Sequence, residues 1–185
     1  MSDENHIDEK HVLRCILFRH GIAVEREEWS GKESDRPLTD KGKRRVRRVA
    51  AGLKRLDVRP TRILTSPLSR AVETAKVLHD ALAVRSPLQL VDELLPDAPP
   101  DKMIVLLNDL PPGSYALCVG HEPHLGLTAS VLLSGRQTSA FPLKKAGACL
   151  IELSLPAKPG QGRLVWWLTP GQLRTIGKET NNGED

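Results

Sequence analysis

Short apolar runs alternate with longer amphipathic stretches along this chain, and that alternation restricts the fold more than any other feature. Residues 13–18, 62–65, 88–91, 116–119, 148–153 and 163–168 have the length and composition of buried strands. Helical spacing fills 40–56, 67–83, 101–109 and 123–133. In the first of these, Val46, Val49, Ala50, Leu53 and Leu56 share one face; in the second, Ala71, Ala75, Leu78 and Leu82 do. A βαβα order specifies a mostly parallel sheet with helices on both faces. Only Pro156-Ala157-Lys158-Pro159-Gly160-Gln161-Gly162 separates the last two strands. That is too short for a crossover helix, so those strands are expected to form an antiparallel hairpin at one edge. The expected architecture is an α/β fold, a three-layer α/β/α sandwich around a mostly parallel six-stranded mixed sheet. At 185 residues it is one domain, placed at 11–176, with flexible tails at 1–10 and 177–185.

The chemistry sits where the strands end. Ile16-Leu17-Phe18 runs into Arg19-His20-Gly21, Ile63-Leu64-Thr65 into Ser66-Pro67-Leu68-Ser69-Arg70-Ala71, and Ala116-Leu117-Cys118-Val119 into Gly120-His121-Glu122-Pro123. Ligands of open α/β sheets collect at the carboxyl ends of the strands. Ser66 suits an N-cap and Pro67 a first helical position. That would put Arg70 in the first turn, where a cation opposes the helix dipole and helix stability does not call for it. Together Arg19, His20, Arg70 and His121 would bring two guanidiniums and two imidazoles to one sheet edge. Such a set fits a dianionic phosphoryl group. As isolated dipeptides these are also what solvated loops carry; the recurrence at three strand ends is the argument.

Arg19-His20-Gly21, Pro37-Leu38-Thr39 with Gly42, Ser66-Pro67-Leu68-Ser69-Arg70-Ala71 and Gly120-His121 together resemble the histidine phosphatase superfamily, also called phosphoglycerate-mutase-like. The resemblance runs from about Val12 to Trp167. Within that superfamily, Gly120-His121-Glu122-Pro123-His124-Leu125-Gly126 and the short chain resemble the SixA-type phosphohistidine phosphatases. The resemblance implies a covalent phosphohistidine formed on His20 and oxygens held by Arg19, Arg70 and His121. It implies no cofactor and no metal, because cationic side chains take the metal's place. Glu93, in Val91-Asp92-Glu93-Leu94, is similar in position to the superfamily's acid glutamate and is the candidate proton donor. Asp92 and Glu122 are the other candidates, and a surface acid at a strand end is the plain alternative for Glu93. The substrate implied is a phosphohistidine-bearing protein, with a small phosphorylated molecule as the alternative. The only obvious lid material is 21–37 and 96–100, which implies a shallow, open pocket.

Composition narrows the remaining classes. The hydrophobic fraction is 39% and the charged fraction 27%. There is no apolar stretch of bilayer length, and residues 1–10 are polar, without a signal region. A cytoplasmic protein with no membrane partner is expected. Cys15, Cys118 and Cys149 fall in strand segments, match no zinc spacing and read as buried reduced thiols. The formal net charge is +4, with Lys41, Lys43, Arg44, Arg45, Arg47 and Arg48 as a major source. These sit opposite the apolar face of the first long helix, so they read as its solvated side, able to steer an anionic substrate. A non-catalytic anion- or nucleic-acid-binding module is the remaining alternative. No nucleic-acid motif accompanies the charge and aromatics are only 3%, so no nucleic-acid partner is expected. A two-histidine metal site at His20 and His121 would place a cation against two guanidiniums.

Overall fold

The computed structural model describes residues 12–178. The 1–10 tail and residues 179–185 lie outside the described residues, as do His6 and His11. The elements in chain order are β1 (Val12–Arg19), α1 (Asp40–Arg55), β2 (Arg62–Thr65), α2 (Ser69–Leu82), β3 (Gln89–Leu90), α3 (Pro100–Asn108), β4 (Tyr115–Gly120), α4 (His124–Ser134), β5 (Ala148–Ser154), β6 (Arg163–Leu168) and α5 (Pro170–Ile176). The six strands form one mixed sheet in the order β3-β2-β4-β1-β5-β6. The pairs β1·β4, β2·β4 and β2·β3 are parallel, whereas β1·β5 and β5·β6 are antiparallel. The sandwich and the terminal hairpin are as expected from the sequence.

The side-chain period of two explains why the Cys15–Phe18 stretch of β1 is apolar on both faces. Leu13, Cys15 and Leu17 enter the core layer that includes Met103, Leu107, Leu125 and Ala129 of α3 and α4. Ile16 and Phe18 enter the opposite layer, with Val46, Val49 and Leu53 of α1, Ala71, Ala75 and Leu78 of α2 and Leu173 of α5. Each such fully buried aliphatic side chain contributes about 1.5–3 kcal/mol relative to exposure. Cys15, Cys118 and Cys149 are free and buried, one in each of β1, β4 and β5. Among the described residues, no helix is long and apolar enough to cross a membrane.

Two elements differ from expectation. The third strand shrinks to Gln89–Leu90, both exposed, because an edge strand has one neighbour and its outer face has nothing to cover it. The helix α5 has no counterpart among the expected elements. Its signal is local: Thr169 caps the N-terminus by accepting from Gln172 N, the Gln172 side chain accepts in return from Thr169 N, and Pro170 occupies the first turn. Gly177, expected in the flexible tail, instead closes this helix by donating its N–H to Leu173 O at 3.0 Å.

Candidate active site

Strand register brings the two histidines together. Arg19 of β1 lies opposite Gly120 of β4, so His20 and His121 come next at the same level, and His20 N donates to Gly120 O at 3.0 Å. Their ring centroids are 5.0 Å apart. On the other side of β4, Thr65 lies opposite Val119, and Ser66 N donates to Val119 O. The sheet order β2-β4-β1 therefore sets Ser66, His121 and His20 side by side, although 46 positions of chain separate His20 from Ser66 and 55 separate Ser66 from His121.

Ser66 is not the helix cap expected of it. The cap position of α2 is Leu68, without a side-chain cap bond. The Ser66 hydroxyl instead accepts from Leu68 N at 3.3 Å and lies 2.9 Å from His121 Nε2. A hydroxyl can accept from one neighbour and still donate to or accept from another, so Ser66 bonds His121 in either imidazole tautomer. The His121 Nδ1 is buried and has no partner among the described residues.

The loop after β1 is built by close backbone approach. Thr39 N and the Thr39 hydroxyl both donate to Ile22 O, and Thr39 Oγ1 caps α1 by accepting from Gly42 N. A side chain at Gly42 would run into the Ile22 carbonyl, so glycine is required for this contact. Gly21 N donates to Thr74 Oγ1 at 3.0 Å, and the Thr74 hydroxyl donates to Arg70 O at 2.6 Å. The His20 loop is thereby tied to the first turns of α2. His20 Nδ1 lies 2.7 Å from Gly21 O. A carbonyl can only accept, so Nδ1 carries the proton and Nε2 keeps its lone pair.

Burial dominates the electrostatics. His20 is 7% exposed and His121 2%. Burial first, then the Arg70 and Arg19 charges and that of Lys145, drive His20 down to about 3 despite the Gly21 carbonyl. Burial, with His20, Arg70, His124 and Arg19 adding, drives His121 down to about 2. Both imidazoles are neutral at pH 7. Arg19 donates through Nη1 to Leu143 O at 2.8 Å, and its Nε is buried without a partner among the described residues. Arg70 is 6% exposed, and among the described residues its Nε is likewise unpartnered. Its Nη1 meets Glu33 twice, at the backbone carbonyl and at Oε1, each at 3.3 Å. Glu33 is bound in turn by Arg36, at 3.0 and 2.9 Å, which holds its carboxyl below the usual range. These bonds draw the 21–37 segment over Arg70.

The structure thus brings Arg19, His20, Arg70 and His121 together, and carries Glu93 in a turn that packs against Gly120 at the end of β4. Glu93 lies in the 3-10 turn Asp92–Leu94 beside the depression formed with Asp92, Leu95, Asp97 and Lys102. Among the described residues, no hydrogen bond or ion pair joins it to the other four. Glu122, the other acid near the cluster, accepts from Leu143 N at 3.0 Å, and burial raises its pKa. It braces the segment whose Leu143 carbonyl receives Arg19. Glu73 accepts from Leu38 N and pairs with Lys43 at 3.4 Å. His124 is 1% exposed and lies 3.4 Å from the Thr128 hydroxyl, and burial lowers it to about 4. Among the described residues, no group of three or more His, Cys, Asp or Glu is gathered as a metal site. Sequence reasoning missed Ser66 as a partner of His121, Thr74 as the tie to α2, and Glu33. The polar residues are visible in the sequence, but their pairing depends on strand order.

Comparison with known proteins agrees with this geometry. The histidine phosphatase superfamily (branch 1) matches residues 15–95. An uncharacterized protein of Picosynechococcus is 38% identical over 137 residues, covering 73% of this chain and 82% of that protein. Phosphohistidine phosphatase SixA of Escherichia coli K12 is 27% identical over 164 residues, covering 88% of this chain and 97% of SixA. The structure of the protein histidine phosphatase SixA complexed with tungstate superposes with a TM-score of 0.76 at 26% identity, over 86% of this chain and 99% of that one. Motifs, sheet order and likeness over nearly the full length of these relatives agree: this chain is a phosphatase of the histidine phosphatase superfamily, in its SixA-type branch.

Proposed function

We propose that the protein hydrolyses phosphohistidine on a protein substrate, through a covalent phosphohistidine formed on His20. One observation carries the reading. The His20 imidazole is neutral and fixed in the tautomer that leaves Nε2 free, in a cluster with the buried Nε–H groups of Arg19 and Arg70 and the buried Nδ1 of His121, which have no partner among the described residues. Unpaired buried donors are costly. A phosphoryl dianion offers the acceptors they lack.

In the first step the Nε2 lone pair of His20 forms a bond to phosphorus as the bond from phosphorus to the leaving nitrogen breaks. The electron pair leaves with the substrate imidazole, which takes up a proton. Arg19, Arg70 and His121 hold the equatorial oxygens as charge spreads over them. In the second step a water oxygen bonds to phosphorus and gives up a proton to solvent, replacing the one the leaving imidazole took, while the P–N bond breaks, its electron pair returns to His20 Nε2, and inorganic phosphate departs. Side chains supply all the positive charge these steps need, so the mechanism is metal-independent and takes no cofactor. Imidazole leaves readily, so Glu93 has no step with this substrate. Its proton is needed only when an alkoxide must leave.

Support for the substrate comes from the likeness to SixA and from the absence of an inserted lid domain between the described elements. Tungstate, a tetrahedral oxyanion, was bound by the SixA neighbour and is the natural probe here. The competing reading is a phosphatase of small phosphate esters, favoured by the 21–37 segment whose Glu33 lies against Arg70. Purified protein given a phosphohistidine-bearing protein and a panel of small esters separates the two. Turnover of one alkyl ester with none of phosphohistidine overturns the proposal.

A further inference from the structure

The turn before β5 is built against the site more tightly than a connecting loop requires. Ala146 is fully buried and has φ 62°, a left-handed conformation that costs a non-glycine residue energy. Its N–H is shared between Arg19 O at 3.0 Å and His20 O at 3.1 Å. Gly147 O accepts from Arg19 N at 3.1 Å, and Gly147 N closes the turn on Lys144 O at 2.6 Å. Leu143, one residue before the turn, accepts from Arg19 Nη1. The backbone on both sides of Lys145 is therefore fixed to Arg19 and His20.

The Lys145 side chain is treated differently. It is 41% exposed, and its only ion pair among the described residues is with Glu25, at 4.0 Å, whose side chain is 62% exposed. A long, exposed pair of this kind contributes less than about 1 kcal/mol. Glu25 belongs to the segment after His20, on which Glu33 engages Arg70. Two carboxylates of one segment thus face two cations beside the same imidazole. Arg70 is buried and held by both the carbonyl and the carboxylate of Glu33, whereas Lys145 is loosely held and free to turn. The positive field of Lys145 reaches His20, one of the influences keeping that ring neutral.

We propose that Lys145 is a further anion-binding residue of this site, its ammonium leaving Glu25 to engage the phosphoryl group held beside His20. A flexible stem carrying a compact charge suits this movement, where a rigid guanidinium fork would not. The inference rests on the phosphoryl site proposed above. It adds a fourth cationic or N–H group to Arg19, Arg70 and His121, and it makes Glu25 the resting partner that phosphate displaces.

Inorganic phosphate titrated calorimetrically into the full chain tests this without turnover. Lys145→Gln is expected to weaken phosphate about fivefold, the loss of one exposed charge-assisted contact. In steady-state assays with an aryl phosphate it should raise KM by a similar factor and leave kcat nearly unchanged, the signature of binding lost equally in ground and transition states. Lys145→Arg should restore most of the affinity. Glu25→Gln should tighten phosphate about twofold in the wild-type background and have no effect beside Lys145→Gln. Phosphate affinity unchanged in Lys145→Gln overturns the proposal. So does a loss seen only with an acidic phosphopeptide, because the lysine would then be reading the carrier and not the phosphoryl group. Lys145-dependent phosphate binding in a protein that turns over no phosphorylated substrate would remove the proposed activity and leave this assignment in place. Normal turnover with Lys145-independent phosphate binding would do the reverse.

Discussion

Two places on the same sheet edge carry ionisable residues, and they behave differently. At the ends of β1 and β4, His20 and His121 are 7% and 2% exposed and lie far below their usual pKa. At the end of β3, Asp92 is exposed, Glu93 is partly buried, and neither has a charged or hydrogen-bonded side-chain partner among the described residues. The difference comes from position in the sheet. β1 and β4 have a strand on each side and a helical layer on each face, so the residues just past their ends remain desolvated. β3 is a two-residue edge strand, and Asp92 just past it meets water. Burial at the interior strand ends is what shifts the two imidazoles.

The largest expected effect tests whether the interior end is the reacting one. His20→Ala should lower phosphatase turnover roughly ten-thousand-fold or more while keeping the fold, as removal of a covalent nucleophile does. Rapid acid-free quenching with labelled substrate should trap phosphate on His20 in the wild type. Turnover near wild-type rates in the alanine variant would break the comparison at its root.

The next effect is on stability. His20 and His121 have folded pKa values of about 3 and 2, below the unfolded value of 6.5. Between those limits the unfolded chain binds more protons. The stabilising contribution is therefore full above pH 6.5 and is lost as pH falls toward the folded values. From pH 7 to pH 5 each histidine should cost about 2 kcal/mol of unfolding free energy. Denaturant titrations at the two pH values measure this, and His121→Asn should remove about half of the loss. A pH-independent midpoint over that range would mean the strand ends are solvated.

Removing either guanidinium comes third. Arg19→Ala or Arg70→Ala should each cost about 3 kcal/mol in kcat/KM, by analogy with loss of an oxyanion donor. Tungstate or phosphate should compete for the same place. A crystal soaked in either anion that shows it bound away from Arg19 and Arg70 would contradict the assignment.

The smallest effect sharpens the contrast from the exposed side. Glu93→Gln should change phosphohistidine or aryl phosphate hydrolysis less than about threefold, because those leaving groups need little protonation. An alkyl phosphate, if turned over, should slow far more. An equally large loss on all three substrates would show that the exposed end acts on the site by something other than proton donation.

Much of the architecture is legible in local patterns. The period-two strands, the helix faces and the polar residues at strand ends suffice for the sandwich, the terminal hairpin and the grouping of Arg19, His20, Arg70 and His121. Local patterns mislead where two readings are chemically equal. Ser66 before Pro67 has the form of a helix cap, yet its hydroxyl faces His121, because β2 and β4 are neighbours. The helix α5 carries its own signal in Thr169, Pro170 and Gln172, but at seven residues it is too short for an apolar periodicity to reveal it.

The sequence by itself determined which side chains could do phosphoryl chemistry and that strands would deliver them to a common edge, because both depend on residue type and short-range periodicity. Tertiary structure alone decided how they are equipped. The β1·β4 register set the two imidazoles 5.0 Å apart, and burial between layers kept them neutral. The contact on Arg70 comes from Glu33, 37 positions away. Desolvation and long-range pairing are properties of what surrounds a residue, and one strand's sequence does not contain its neighbours.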